Sequence, residues 1–210
     1  MVRVWDGLAI PSAAVAGMGL TGRMREIVLI RHGQTEWSAA GRHTSVTDLP
    51  LTPEGERRAT ALATRLAARS FGIVLTSPRV RAQTTARLAG LNGAIVDDDL
   101  AEWTYGEYEG RTTPQIRQTD PGWTVWTGFT PGGETAAQVG TRADRVLERV
   151  RPVLASADAC LVGHGHMLRV TVARWLGLPP SDGALFKLET ATLNVLGFER
   201  ETPVLSAWNA

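Results

Sequence analysis

Four short, continuous hydrophobic runs divide the chain. They cover residues 25–30, 72–76, 94–96 and 159–162. A strand that is buried on both faces reads as an unbroken apolar run, whereas a strand with one wet face alternates. The four runs therefore predict buried strands of a parallel or mixed sheet.

Between these runs, apolar residues recur every three or four positions, as on one face of a helix. The first such segment begins after Thr52, a residue suited to an N-cap, and has proline at its first helical position. It is predicted to extend to about Ser70, with an apolar face formed by Ala59, Leu62, Ala63, Leu66 and Ala67. Further helices are predicted over residues 77–88, 135–154 and 167–176, and a short one over 114–119.

Near the C-terminus, residues 184–188, 192–198 and 203–208 alternate between apolar and polar positions. This alternation predicts two or three antiparallel strands at the sheet edge. Taken with the alternating strands and helices before them, the pattern predicts an α/β fold, a three-layer α/β/α sandwich with a mostly parallel central sheet.

The length of 210 residues fits one domain. Residues 1–23 are interpreted as a poorly ordered N-terminal extension, because Pro11 and several glycines interrupt its mildly apolar run. The folded domain is then expected to cover residues 24–210. Residues 111–131, which contain proline, glycine and two tryptophans, are expected to form a small lid.

Charge and cysteine content narrow the function classes. Lysine plus arginine count 22 against 21 for aspartate plus glutamate, so a net charge of +1 provides no broad field for nucleic acid or an anionic membrane. No stretch approaches the ~18 apolar residues of a membrane span. The single cysteine, Cys160, lies in a buried run and has no partner for an intramolecular disulfide. We therefore expect a cytoplasmic protein whose ligand is small.

Two of the predicted strands end in a histidine followed by glycine, at His32-Gly33 and His164-Gly165. A single histidine is more often a hydrogen-bonded structural residue than a ligand or catalyst. Two histidines in matching positions favour a site, because ligands bind at the carboxyl ends of strands in α/β sheets. If the two strands are neighbours, the histidines lie side by side.

Two arginines follow predicted strands closely enough to face the same crevice. The guanidinium groups of Arg31 and Arg81 are suited to phosphate, since they can donate to two oxygens at once. The alternative for Arg81 is a solvated helix face shared with Arg79 and Arg87. Its position one turn into a helix that follows a strand favours an anion.

Histidines, arginines and a carboxyl group together suggest phosphoryl transfer through a phosphohistidine. Glu102 is a candidate to protonate the leaving oxygen, but the residue types alone do not separate it from its acidic neighbours, Asp97, Asp98, Asp99, Glu107 and Glu109. A metal site at 97–99 is disfavoured because adjacent side chains of an extended segment point to opposite faces. Residues 17–22 have GxGxxG spacing but follow no strand, so no nucleotide cofactor is expected.

These residues resemble those of the histidine phosphatase superfamily, also called the phosphoglycerate mutase-like family. The matching motifs, in order, are LIRHGQT from Leu29, LTPEG from Leu51, SPRVRA from Ser77, LAE from Leu100 with EG at Glu109, GGET from Gly132, and VGHG from Val162. The resemblance covers roughly residues 25–198 and implies a phosphoglycerate mutase-like fold.

The resemblance implies that His32 is the phosphorylated nucleophile and Glu102 the proton donor. Arg31, Arg81 and His164 would complete the phosphate pocket, with neither metal nor cofactor. Carried over by position, the residues implied to bind substrate are Gln34, Ser38, Thr44, Ser45, Tyr105, Gly165 and His166. Arg42 and His43 are candidates for a second phosphate or a carboxylate.

Three segments are similar to the sugar-bisphosphatase branch, especially sedoheptulose 1,7-bisphosphatase, and to small acid phosphatases. They are Arg31–Ser38, Val96–Gly110 and the triplet that begins at His164. The expectation is a metal-independent phosphatase acting on sugar phosphates or sugar bisphosphates, with a homodimer as an open possibility. Phosphoglycerate mutase activity is the enzymatic alternative, disfavoured because the chain lacks the long insertion before Gly132. A binding module without turnover is the other alternative.

Overall fold

The computed structural model describes residues 25–210, so the expectations for residues 1–23 and the spacing at 17–22 lie outside the described residues. The strands are β1 (Ile27–Arg31), β2 (Phe71–Thr76), β3 (Ile95–Val96), β4 (Asp158–Gly163), β5 (Leu193–Glu199) and β6 (Thr202–Ala207). In this part of the chain they form one sheet in the order β3-β2-β4-β1-β5-β6. The first four strands in that order run parallel, and β5 is antiparallel to both of its neighbours.

The helices are α1 (Glu36–Ala39), α2 (Pro53–Leu66), α3 (Val80–Leu88), α4 (Thr113–Ile116), α5 (Ala136–Val150) and α6 (Gly165–Trp175). The Thr52 side chain caps α2 by accepting from the backbone N–H of Gly55 at 3.0 Å, as its sequence predicts. Within residues 25–210, no helix combines the length and apolar character needed to cross a bilayer.

Strand β1 is buried on both faces and divides the core in two. Ile27 and Leu29 pack in the cluster that contains residues of α5 and α6. Val28 and Ile30 pack in a second cluster with residues of α2 and α3. Because side chains alternate along a strand, the unbroken apolar run fills both layers, and the predicted three-layer α/β sandwich is confirmed.

The pairing of β1 with β4 positions the two strand-end histidines. The strands are parallel, with Arg31 opposite Gly163, and the backbone N–H of His32 donates to the Gly163 carbonyl at 2.9 Å. His32 and His164 therefore leave the sheet side by side, as the sequence predicts, and their ring centroids are 5.1 Å apart.

The predicted strand at 184–188 is wrong. Residues Pro180–Leu185 form a 3-10 helix. The Arg169 side chain donates hydrogen bonds to the carbonyl oxygens of Gly183 and Ala184, at 3.0 Å each. Those carbonyls therefore bond to a side chain instead of a sheet neighbour. The sequence patterns also gave no indication of α1, which lies between β1 and α2 and begins with a capping box formed by Thr35 and Ser38.

Candidate active site

A small polar cavity of about 190 Å³ opens where β1 and β4 end. It is lined by Arg31, His32, Ser38, Gly41, Arg42, His43, Thr44, Glu102, Tyr105, Gly165, His166, Arg169 and Leu188. Cavities that hold drug-sized molecules usually measure about 300–1,000 Å³. The dimensions of this cavity therefore suit a small polar ligand.

His32 lies at the base of the cavity with its tautomer set by the backbone. Its Nδ1 is 2.7 Å from the Gly33 carbonyl oxygen, which can only accept, so Nδ1 carries the proton. Burial and the positive charges of Arg31 and Arg81 hold the pKa of His32 well below its usual value. No hydrogen bond joins Nε2 to another residue in the described range. The ring thus presents a neutral nitrogen with a free lone pair.

His164 is fully buried next to His32, with the ring centroids 5.1 Å apart, and it does not line the cavity. Its Nε2 lies 2.6 Å from the Ser77 hydroxyl, which also accepts from the backbone N–H of Arg79 at 3.2 Å. Among the described residues, the hydroxyl proton of Ser77 has no acceptor other than His164 Nε2, so the hydroxyl donates to Nε2 and the ring proton lies on Nδ1. Burial, followed by the proximity of His32, lowers the pKa of His164. Nδ1 of His164 is buried and, among residues 25–210, has no partner.

Arg31 and Arg81 surround the histidines but make different contacts. Arg31 donates from Nη1 to the Leu188 carbonyl at 2.5 Å, and its buried Nε has no partner in the described chain. Gly165 leaves room beside this guanidinium, since a Cβ there would be 3.3 Å from Nε of Arg31. Arg81 does not line the cavity. It is fully buried and donates from Nη1 and Nη2 to the carbonyl oxygens of Thr47, Thr44 and Ser45.

Glu102 lies at the amino end of α6. One carboxylate oxygen accepts from the backbone N–H groups of Trp103 at 2.8 Å and Met167 at 2.9 Å, and the other accepts from that of His166 at 3.0 Å. Glu102 is 6% exposed and reaches the cavity wall. The helix terminus therefore holds this carboxyl group in a fixed position on the cavity wall.

The loop at 44–48 is held from two sides. Glu109 accepts from the backbone N–H of Ser45 at 2.9 Å, from the Ser45 hydroxyl at 2.6 Å, and from the N–H of Thr47 at 3.1 Å. Arg81 binds the carbonyls of the same loop, so both polar sides of its backbone are satisfied. Ser45 is expected to bind substrate, but its backbone N–H and its hydroxyl are both hydrogen-bonded to Glu109.

The other expected substrate-binding residues divide between the cavity and the scaffold. Ser38, Thr44, Tyr105, Gly165 and His166 line the cavity. Gln34 does not. Its carbonyl oxygen accepts from the Thr52 N–H at 2.9 Å, and its side-chain oxygen accepts from the Thr52 hydroxyl at 3.0 Å.

Sequence reasoning missed Arg169 as a cavity residue. Its guanidinium lies over the Trp126 ring at 4.5 Å, and burial lowers its pKa to about 10. The available signal was its spacing, because Arg169 follows His166 by three residues and therefore lies on the same face of α6. Arg42, by contrast, is exposed at the cavity mouth and packs over Trp37 at 5.7 Å.

The acidic segment at 97–99 points away from this chemistry. Asp97 and Asp99 form ion pairs with Arg149, and Asp99 also pairs with Arg145 on α5. Hydrogen bonds from Arg145 hold the pKa of Asp99 at about 2. This cluster fastens the segment that carries Glu102 to α5.

Comparison with known proteins agrees with this geometry. Residues 27–210 match the model of the histidine phosphatase superfamily (branch 1). The chain is 44% identical over 179 residues to an acid phosphatase of Mycobacterium tuberculosis, an alignment that covers 84% of this chain and 88% of the relative. It is 33% identical over 208 residues to sedoheptulose 1,7-bisphosphatase of Saccharomyces cerevisiae, an alignment that covers 83% of this chain and 75% of the relative.

A third relative is a probable phosphoglycerate mutase of Yersinia enterocolitica, 29% identical with coverage of 88% and 90%. The solved structure of the open reading frame Rv3214 of Mycobacterium tuberculosis superimposes with a TM-score of 0.85 at 42% identity, covering 89% of this chain and 98% of that one. The structure of a mycobacterial glucosyl-3-phosphoglycerate phosphatase, solved with VO3, superimposes with a TM-score of 0.78 at 28% identity. The match covers 89% of this chain and 99% of that one.

The fold, the polar cavity at the strand ends and these relatives define the class of protein, a phosphoric monoester hydrolase. The family model spans nearly all of the described residues, and the chain belongs to the histidine phosphatase superfamily.

Proposed function

We propose that this phosphatase hydrolyses sugar phosphates or sugar bisphosphates through a phosphohistidine formed on His32. One observation carries the mechanism. The Gly33 carbonyl fixes the proton of His32 on Nδ1, while burial and two arginines keep the ring neutral, so Nε2 offers a lone pair at the cavity base. An imidazole in this state is ready to attack phosphorus.

In the first step, Nε2 of His32 attacks phosphorus and the bond from phosphorus to the ester oxygen breaks. Glu102 gives its proton to the departing alcohol oxygen. Nδ1 of His164 and Nε of Arg31, which have no partner among residues 25–210, are donors suited to the phosphoryl oxygens, where negative charge is spread. In the second step, water gives a proton to Glu102 and attacks phosphorus, which releases inorganic phosphate and restores His32.

The choice of sugar phosphates rests on the cavity and on the relatives. Beyond Arg31, the cavity wall carries Arg42 and Arg169, and cations there suit a second phosphate or a carboxylate on the leaving group. A relative named sedoheptulose 1,7-bisphosphatase, with 33% identity, supports the same substrate class. The cavity volume supports a small metabolite.

The mechanism is tested by trapping the intermediate. The wild-type enzyme is mixed with a phosphate ester, quenched in alkali to preserve phosphohistidine, and analysed by peptide mass spectrometry. We expect a phosphoryl group on His32 in the wild type and in His164→Asn, and none in His32→Asn, which should also lose turnover. Full turnover by His32→Asn, or a phosphoryl group on another residue of a competent enzyme, would overturn the proposal.

The substrate class is tested by initial rates on sugar monophosphates, sugar bisphosphates and 3-phosphoglycerate. The similarity to a probable phosphoglycerate mutase makes isomerisation the second candidate. With 3-phosphoglycerate labelled in the phosphate, a phosphatase releases labelled inorganic phosphate, whereas a mutase gives labelled 2-phosphoglycerate. We expect inorganic phosphate as the product, and sugar phosphates as the better substrates.

A further inference from the structure

We propose that Tyr105 is a positioning residue that fixes the tautomer of His166, so that His166 presents a neutral Nε2–H donor to an oxygen of the leaving group. The inference rests on the proposed function, because the leaving group is the part of the substrate that it concerns. Tyr105 then acts through His166, and its hydroxyl does not contact substrate.

The geometry supports one direction for the hydrogen bond between these residues. The Tyr105 hydroxyl oxygen lies 2.6 Å from Nδ1 of His166, and Tyr105 is 2% exposed. Within the described chain, the hydroxyl has no other hydrogen-bond partner. If it accepted from Nδ1, its own proton would be buried without an acceptor, which is a loss of stability. Donation from the hydroxyl to Nδ1 avoids that loss and leaves the ring proton on Nε2.

Burial, together with the surrounding charges, keeps both groups neutral. Burial, reinforced by the Glu102 carboxylate, raises the pKa of Tyr105, which therefore remains a donor. Burial, reinforced by the cation of Arg169, lowers the pKa of His166. A neutral imidazole has one donor and one acceptor nitrogen, and the acceptor is the one bound by Tyr105.

The ring of His166 is fixed beside the acid expected to protonate the leaving oxygen. The backbone N–H of His166 donates to Glu102 at 3.0 Å. The imidazole packs edge-on against Trp126, with centroids 5.1 Å apart, and stacks on His43 at 5.9 Å. His166 lines the cavity, and no hydrogen bond from the rest of residues 25–210 reaches Nε2. Nε2–H is therefore available to the leaving group.

A neutral donor selects for an acceptor oxygen near the ester bond, without requiring a particular charge. A sugar hydroxyl, a carboxylate or a second phosphate meets this requirement. The phenyl group of phenyl phosphate does not. The inference therefore concerns how much the enzyme prefers ribose 5-phosphate over phenyl phosphate, expressed as the ratio of their kcat/KM values.

The tautomer is read directly by two-bond correlation between ring protons and ring nitrogens in ¹⁵N-histidine NMR spectra. The chain has four histidines, so single substitutions assign every signal. We expect His166 to carry its proton on Nε2 in the wild type and to become a mixture of tautomers in Tyr105→Phe. Tyr108→Phe is the matched control, since the second tyrosine of the chain packs against Trp123 and does not line the cavity.

Kinetics give the functional test. One lost hydrogen bond of about 1 kcal/mol corresponds to roughly a fivefold effect. We therefore expect Tyr105→Phe to lower the ribose 5-phosphate preference about fivefold, and His166→Leu at least as much. His166→Gln, which keeps a terminal N–H donor, should retain more of the preference than His166→Leu.

The outcomes separate the two proposals. If the wild type hydrolyses phenyl phosphate but no sugar phosphate, the proposed substrate class fails, while the NMR experiment still tests the tautomer. A single Nε2–H tautomer that persists in a folded Tyr105→Phe variant would overturn the positioning role. Equal losses on both substrates in that variant would also overturn it.

Discussion

The Ser77 hydroxyl lies 2.6 Å from Nε2 of His164 and, by donating to it, leaves the ring proton of that histidine on Nδ1. The same hydroxyl oxygen accepts from the backbone N–H of Arg79. Removing it should leave His164 free to place its proton on either nitrogen. We expect Ser77→Ala to lower kcat/KM about tenfold, the loss of roughly 1.4 kcal/mol of transition-state stabilisation.

Steady-state rates on a sugar phosphate measure this effect. Ser206→Ala, on the outer strand β6, is the matched control and should retain the wild-type kcat/KM. An unchanged kcat/KM in Ser77→Ala would show that the hydroxyl does not orient His164.

Glu102→Gln should distinguish proton donation by Glu102 from its structural role in accepting hydrogen bonds at the start of α6. Glutamine keeps the side-chain length and an oxygen acceptor for the N–H groups at the start of α6 but cannot supply a proton to the leaving group. General acid catalysis typically contributes about 10²–10⁴-fold. We expect kcat for a sugar phosphate to fall about 100-fold, and the loss to be much smaller for p-nitrophenyl phosphate, whose leaving group needs no proton.

The measurement compares the loss of kcat on the sugar phosphate with the loss on p-nitrophenyl phosphate. Glu107→Gln is the control, because Glu107 is exposed in the same segment. Equal losses on both substrates would argue that Glu102 acts only by holding α6.

The central part of the fold could be predicted because it depends on local patterns. The unbroken run of β1 identified a strand buried on both faces, and Thr52-Pro53 marked the start of α2. The sequence placed His32 and His164 at strand ends and predicted their adjacency only if the two strands were neighbours, which β1 and β4 are. The family resemblance, and not the residue types, selected Glu102 among six acidic residues.

Contacts between distant segments could not be predicted from local patterns. The alternation at 184–188 was outweighed by Arg169, which binds the carbonyls of Gly183 and Ala184. Similarly, nothing near Glu109 in sequence indicates that it holds Ser45, a residue 64 positions away.

Gly33, in the LIRHGQT motif, is required by the packing of its backbone. In the structure, a Cβ on Gly33 would lie 2.6 Å from the Gly55 carbonyl oxygen, so the loop after β1 packs directly on the first turn of α2. Overpacking of this kind costs about 1–3 kcal/mol. We expect Gly33→Ala to lower the free energy of unfolding by about 2 kcal/mol, as measured by urea denaturation.

Gly122→Ala is the control for that measurement, because a Cβ there meets no atom of residues 25–210 within 4 Å. If the two variants have equal stability, the contact between Gly33 and Gly55 is not tight in solution.

His43 should make stability depend on pH. Burial lowers its pKa from 6.5 to about 4 in the folded protein, so the unfolded chain binds a proton there more readily than the folded chain. The stabilisation is complete above pH 6.5 and is lost as pH falls towards about 4. Between pH 7.5 and 5 this loss corresponds to about 2 kcal/mol. His32, His164 and His166, whose pKa values are also lowered, add to the trend in the same direction.

Urea denaturation at both pH values should show a smaller pH-dependent loss of the free energy of unfolding in His43→Gln than in the wild type, while Glu107→Gln should match the wild type. The same loss in His43→Gln as in the wild type would mean that His43 titrates normally in the folded state.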